Sequence, residues 1–160
     1  MVSGMDKEIV AHDWPYRDAD TALTGVLVRD QSAAGPQPGL LLVHGGAGLN
    51  EHARGQARRY ARLGYVVFAC DMLGDEVRGD RDRIINCLTS LRDDPAFMLR
   101  RAQAGLAILS DCPGVGARRA AVGFCFGGLV ARRRLRPGGR PRVIRGREPL
   151  PGSGVREFGR

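Results

Sequence analysis

The sequence predicts an α/β fold on a parallel, doubly wound sheet, and three observations predict it. Leu40-Leu41-Leu42-Val43 and Tyr65-Val66-Val67-Phe68-Ala69-Cys70 are short continuous apolar runs, as expected for strands covered on both faces. Segments with helical start and stop signals lie between such runs, and the links are short. Strands and helices that alternate in this way pair in parallel through right-handed crossovers. The third observation is that this grammar ends near residue 130, so the folded α/β part is expected to end there. The 160 residues are enough for one domain with a real core.

The elements follow in order. Residues 23–29 form an early strand, followed by a turn-rich stretch with Pro36 and Pro38. The run at 40–43 is the next strand and ends in His44-Gly45-Gly46-Ala47-Gly48. Asn50 is placed to cap a helix through Leu63, and Gly64 to stop it. The strand at 65–70 closes on Asp71. A polar stretch leads to a helix over 83–91. Asp94-Pro95 then starts another helix, with Asp as cap and Pro as first residue. Its apolar face holds Phe97, Leu99, Ala104, Leu106 and Leu109. Pro113-Gly114 precedes a last strand, which ends in Ala120-Ala121-Val122.

The net charge of +8 resembles a nucleic-acid signal until it is located. Residues 1–130 carry 15 Lys+Arg and 15 Asp+Glu; residues 131–160 carry 10 Arg against Glu148 and Glu157. The whole excess is in the tail. That tail also holds four prolines and six glycines, with Phe158 as its lone aromatic. Such a segment buries too little apolar surface to offset its ordering entropy, so 131–160 is expected to be disordered and 1–130 to be the folded domain. Arg, Pro and Gly have GC-rich codons, and a shifted reading frame in a GC-rich gene gives this mixture abruptly. Frameshift or truncation after about residue 130 is the preferred explanation. An arginine-rich arm that binds nucleic acid by counterion release is the alternative.

Cys70, Cys87, Cys112 and Cys125 are irregularly spaced, without a C-x-x-C pair. They read as reduced thiols of a cytoplasmic protein, with no metal site and no cofactor. The polar amino terminus has no signal-peptide core, and the apolar runs are too short to span a membrane, so no membrane association is expected.

One motif carries chemistry. Gly123-Phe124-Cys125-Phe126-Gly127-Gly128 follows the last strand directly. A nucleophile on a sharp strand-to-helix turn needs glycine two positions to either side, where side chains would collide with backbone. Cys125 is the candidate nucleophile, with Gly123 and Gly127 as the elbow glycines. The Phe126 amide, at the start of the next helix, is placed to meet the oxygen of an attacked carbonyl.

With this motif, Leu41-Leu42-Val43-His44-Gly45-Gly46-Ala47-Gly48-Leu49-Asn50-Glu51-His52, then residues 61–67, then Asp71-Met72-Leu73-Gly74 occur in order. Over about 40–129 the chain resembles the dienelactone hydrolase family, α/β-hydrolases with a cysteine nucleophile that act on cyclic esters and related carbonyl compounds. The resemblance implies an incomplete α/β-hydrolase fold, a small-molecule ester or lactone substrate, Cys125 as nucleophile and oxyanion amides at Gly46 and Phe126. Many members have His-Glu after the first core strand, where the glutamate helps form the thiolate; here Gly45 follows His44. In this fold the acid and histidine of the triad come after the nucleophile. Downstream of Cys125 there is no Asp and no His. The chain is therefore expected to be inactive in turnover.

Simpler roles are expected elsewhere. His44, at the end of a core strand, is read as a structural histidine bonded to nearby backbone, and His52 as a solvated residue on a helix. Asp71 caps its loop. Cys70, Cys87 and Cys112 fill the core or strand ends. The glycine-rich loop at 45–48 lacks the G-K-[ST] of a nucleotide cradle and the spacing of G-x-G-x-x-G. A redox-sensitive thiol protein centred on Cys125 remains a third functional class.

Overall fold

The computed structural model describes residues 6–132, 141–142 and 153–158. Among these residues, seven strands form one sheet in the order β1-β2-β4-β3-β5-β7-β6. The strands are β1 (Ile9–Asp18), β2 (Thr21–Asp30), β3 (Gln37–Val43), β4 (Val66–Cys70), β5 (Val115–Phe124), β6 (Pro141–Arg142) and β7 (Ser153–Phe158). The helices are α1 (Glu51–Arg62), α2 (Arg81–Asp93), α3 (Pro95–Asp111) and α4 (Phe126–Arg132).

The parallel centre is β4-β3-β5, with Leu41 opposite both Phe68 and Ala121. Residues of one strand alternate between two faces. Leu40, Leu42, Val67, Ala69, Ala120 and Val122 pack with Ala57 and Ala61 of α1. Leu41, Val43, Phe68, Cys70 and Ala121 pack with Met98, Ala102, Leu106 and Leu109 of α3. Both faces being covered explains why these strands read as unbroken apolar runs.

The expected helix signals hold. Asn50 accepts from the Ala53 amide at 3.1 Å, and Asp94 accepts from the Ala96 and Phe97 amides at 3.0 Å. Gly64 sits at φ +100°, which lets the chain turn out of α1.

Three features depart from the sequence reading. The sheet is mixed, because β1 and β2 form an antiparallel hairpin and β2 pairs antiparallel with β4. The sequence reading missed β1: His12, Asp13, Pro15 and Arg17 break its apolar pattern. An edge strand tolerates Pro and charge, and gains protection from unwanted pairing by them. The third departure is in the segment expected to be disordered, where β7 runs antiparallel to β5 from Arg119↔Phe158 to Phe124↔Ser153 and β6 pairs with β7. The open edge of β5 offers unpaired backbone groups, and a nearby extended segment of any composition can satisfy them. The rest of that expectation, at 133–140, 143–152 and 159–160, lies outside the described residues.

Candidate active site

Cys125 joins β5 to α4 at φ +53°, a left-handed conformation that costs a non-glycine residue about 1–2 kcal/mol. The surroundings hold it there. A Cβ on Gly123 would run into the Gly127 carbonyl, and one on Gly127 into the Val43 carbonyl. Only glycine at both positions lets α4 turn this tightly beside β3. The Cys125 carbonyl accepts from the Gly128 amide at 3.0 Å and starts α4. The predicted glycines and cysteine thus share one turn.

Cys125 is exposed, unlike the other three cysteines. Burial pushes the Cys70 thiol up to about 12 and raises those of Cys87 and Cys112. Those three are poor sources of thiolate, as expected of packing residues. All four are free thiols.

The loop after β3 faces the elbow. β3 leads into α1 on one face of the sheet, whereas α4 contributes Phe126 and Val130 to the core on the other. Connections diverging from adjacent parallel strands open a crevice at their carboxyl ends, the usual ligand position in such sheets. A Cβ built on Gly45 lies 3.9 Å from Cys125 Cβ and 3.4 Å from the Phe124 carbonyl oxygen. The position after His44 therefore looks at the thiol, and glycine leaves it without a carboxylate there. Gly46 is exposed, and among the described residues its amide has no protein acceptor.

His44 is fully buried. The Met72 amide donates to His44 Nε2 at 3.0 Å, so the proton is on Nδ1, which donates to the Gly45 carbonyl at 2.6 Å. Burial holds the imidazole below its ordinary pKa, although the Gly45 hydrogen bond and the Asp71 charge pull the other way. Both ring nitrogens are occupied, and neither is free to take a proton from Cys125. His52 is exposed on α1, with its ring edge-on to Phe124 at 6.2 Å between centroids.

The loop after β4 is tied down from three directions. Asp71 accepts from the amides of Leu73 at 2.9 Å, Gly74 at 3.1 Å and Thr24 at 3.2 Å, which is the loop-capping role expected. The Tyr16 hydroxyl accepts from the Asp71 amide at 2.9 Å. Arg101 was not singled out in the sequence. It is buried on α3, donates Nε to Asp18 at 2.8 Å, and donates Nη1 to the Met72 and Leu73 carbonyls at 3.2 and 3.4 Å. The available signal was an arginine inside an otherwise apolar helix face.

A pocket of about 240 Å3 opens beside this loop, lined by Asn50, Asp71, Leu73, Arg78 and Ile84 among others. Its lining includes Ala47 in the loop after β3 but not Cys125. Among the described residues, no three His, Cys, Asp or Glu side chains gather as a metal ion would require. No helix there is long and apolar enough to cross a membrane.

Known proteins are similar to this chain. The chain is 36% identical over 70 residues to YghX of Escherichia coli (strain K12), named as a hydrolase fragment; the match covers 42% of this chain and 60% of that protein. It is 37% identical to the solved structure m3DLH, with a TM-score of 0.71. It is also 37% identical, with a TM-score of 0.72, to a dienelactone hydrolase-like promiscuous phosphotriesterase from metagenomic libraries. In each structural match 77% of this chain is covered but only 52% of the other, so the chain spans about half the length of these relatives. The fold is accordingly that of an α/β-hydrolase without parts of the full domain. Residues 23–137 match the dienelactone hydrolase family. With more than half its length so matched, the chain belongs to the dienelactone hydrolase family.

Proposed function

We propose that the chain carries the nucleophile half of a hydrolase for ester or lactone bonds and uses Cys125 as the attacking group. The observation that carries the reading is the conformation of Cys125, a strained left-handed residue held between two glycines at the mouth of the crevice. Strain of this kind clusters at functional sites; the other non-glycine at positive φ among the described residues, Ala19, sits in the tight turn between β1 and β2, whereas Cys125 sits at a strand-to-helix junction. The Cys125 sulfur attacks the carbonyl of a small ester or lactone. The Gly46 and Phe126 amides stabilise the oxyanion, and the acyl group passes to sulfur as the alkoxide leaves.

Turnover needs a base that activates water, and in this fold that base follows the nucleophile. Residues 126–160 contain neither His nor Asp, and His44 is engaged at both nitrogens. The expected behaviour is one acylation event per chain without appreciable release. Loss of a triad member typically costs several orders of magnitude in turnover.

Mixing the chain with p-nitrophenyl acetate tests this. One equivalent of p-nitrophenolate is expected, with mass spectrometry locating the acetyl group on Cys125. Steady multiple turnover abolished by Cys125→Ala would overturn the inactivity argument. Reversible oxidation of Cys125 by peroxide, with no acylation, would instead favour a redox-sensitive thiol. Salt-dependent RNA or DNA retention lost on deleting 131–160 would favour a nucleic-acid role for the tail.

A further inference from the structure

We propose that His44 is a positioning residue that aims the oxyanion-binding amide of Gly46; this rests on the acylation reading above. The Gly45 carbonyl and the Gly46 N–H belong to one trans peptide plane and point in opposite directions. Whatever holds the carbonyl therefore directs the amide. His44 Nδ1 donates to that carbonyl at 2.6 Å, and the Gly48 amide donates to it at 3.1 Å. The imidazole itself is anchored, since its Nε2 accepts from Met72 and the 72–73 loop is held by Arg101. The carbonyl is drawn toward the buried ring, so the Gly46 N–H faces away from that ring.

Glycine makes this support necessary. Gly45 and Gly46 have no side chains to restrain their peptide, and a flexible amide binds a developing oxyanion poorly because it must be ordered during the reaction. The imidazole supplies that order from below while leaving the crevice side open.

Two reactions of one sulfur separate positioning from general structure. In acylation by p-nitrophenyl acetate, the Cys125 thiol gives its proton to solvent, a sulfur–carbon bond forms, the carbon–oxygen bond breaks, and p-nitrophenolate leaves with the electron pair after an oxyanion has developed. In alkylation by iodoacetamide, sulfur displaces iodide and no oxyanion forms. His44→Ala is expected to slow acylation about tenfold more than alkylation, a loss within the range for one oriented hydrogen bond. The Asn side-chain nitrogen sits where Nδ1 does and can donate to the Gly45 carbonyl, while the Gln carboxamide reaches the place of Nε2 and meets only Met72. His44→Asn should therefore restore most of the acylation-to-alkylation ratio, and His44→Gln should not.

Equal slowing of both reactions, or rescue by Gln rather than Asn, overturns the proposal. A parent chain that alkylates but never acylates overturns the hydrolase reading and this one with it. A long-range proton–nitrogen spectrum of the parent chain needs no variant to fold. It is expected to show the proton on Nδ1 and none on Nε2, and the reverse tautomer overturns the proposal.

Discussion

At Gly123 and Gly127 a single methyl group decides whether the elbow exists. Each Cβ would enter a backbone carbonyl that has no room to retreat, since Gly127 lies against β3 and Gly123 against α4. Gly123→Ala or Gly127→Ala is expected to cost at least about 3 kcal/mol, read as a lower midpoint in urea unfolding. Gly45→Ala makes only contacts of 3.4 and 3.9 Å and should leave that midpoint within about 0.5 kcal/mol. A large loss at Gly45, or none at Gly123, would contradict the packing. Cys125 itself should reverse an ordinary preference. Because its φ is +53°, Cys125→Gly is expected to be more stable than Cys125→Ala by about 1 kcal/mol, while both variants lose acylation.

Among the elements, Arg101 ties three together. It reaches from α3 to Asp18 at the end of β1 and to the carbonyls of the loop after β4, and only 4% of its side chain is exposed. Asp18 also pairs with Arg100, which is 59% exposed. Removing one partner of a buried ion pair leaves an uncompensated charge. Arg101→Met should therefore cost about 3 kcal/mol, and Arg100→Met under about 1 kcal/mol. Hydrogen exchange should report faster opening at the Met72 and Leu73 amides in Arg101→Met than in Arg100→Met. Equal effects of the two variants would show that the buried arginine does not hold this loop. The same loop anchors His44, since the Met72 amide donates to its Nε2.

The whole molecule should weaken in acid, with Asp18 and His44 among the groups responsible. Burial alone would raise the Asp18 pKa, but hydrogen bonds from Arg101 and Arg100 outweigh it and hold the carboxyl below its ordinary value. A depressed carboxyl stabilises the fold above the unfolded pKa, near 3.9, and that contribution is lost as pH falls through the folded value. His44 is also depressed, chiefly by burial. Its unfolded form takes up a proton as pH falls below about 6.5 while the folded form resists, so stability drops from that point downward. Urea midpoints are expected to fall between about pH 6.5 and 4, with a shallower slope in His44→Asn. An unchanged slope in that variant would rule His44 out as the source. The sheet edge is the second property of this scale. β7 covers the outer side of β5, and removing residues 153–160 bares six backbone pairs. The shortened chain is expected to self-associate with rising concentration in sedimentation velocity, because an open strand edge pairs with its neighbours. A monomer at all concentrations would show that β7 is dispensable.

Local chemistry made much of this protein legible from its residues alone. Leu40–Val43 and the run before Asp71 announced buried parallel strands because both their faces meet helices. Asn50, Gly64 and Asp94-Pro95 marked helix ends because the groups they satisfy lie within a turn. The elbow was visible because its glycines and its cysteine sit within five residues. Long-range partners were not visible. β1 is polar and acquires its place from pairing with β2, Arg101 is buried only because Asp18 waits 83 residues away, and β7 depends on an edge left open by β5. His44 shows the division most clearly. Its sequence position pointed to a structural histidine, but the proton on Nδ1 and its bearing on Gly46 follow from Met72, 28 residues on. Hydrogen bonds of that reach come from the tertiary fold, since no local spacing encodes them.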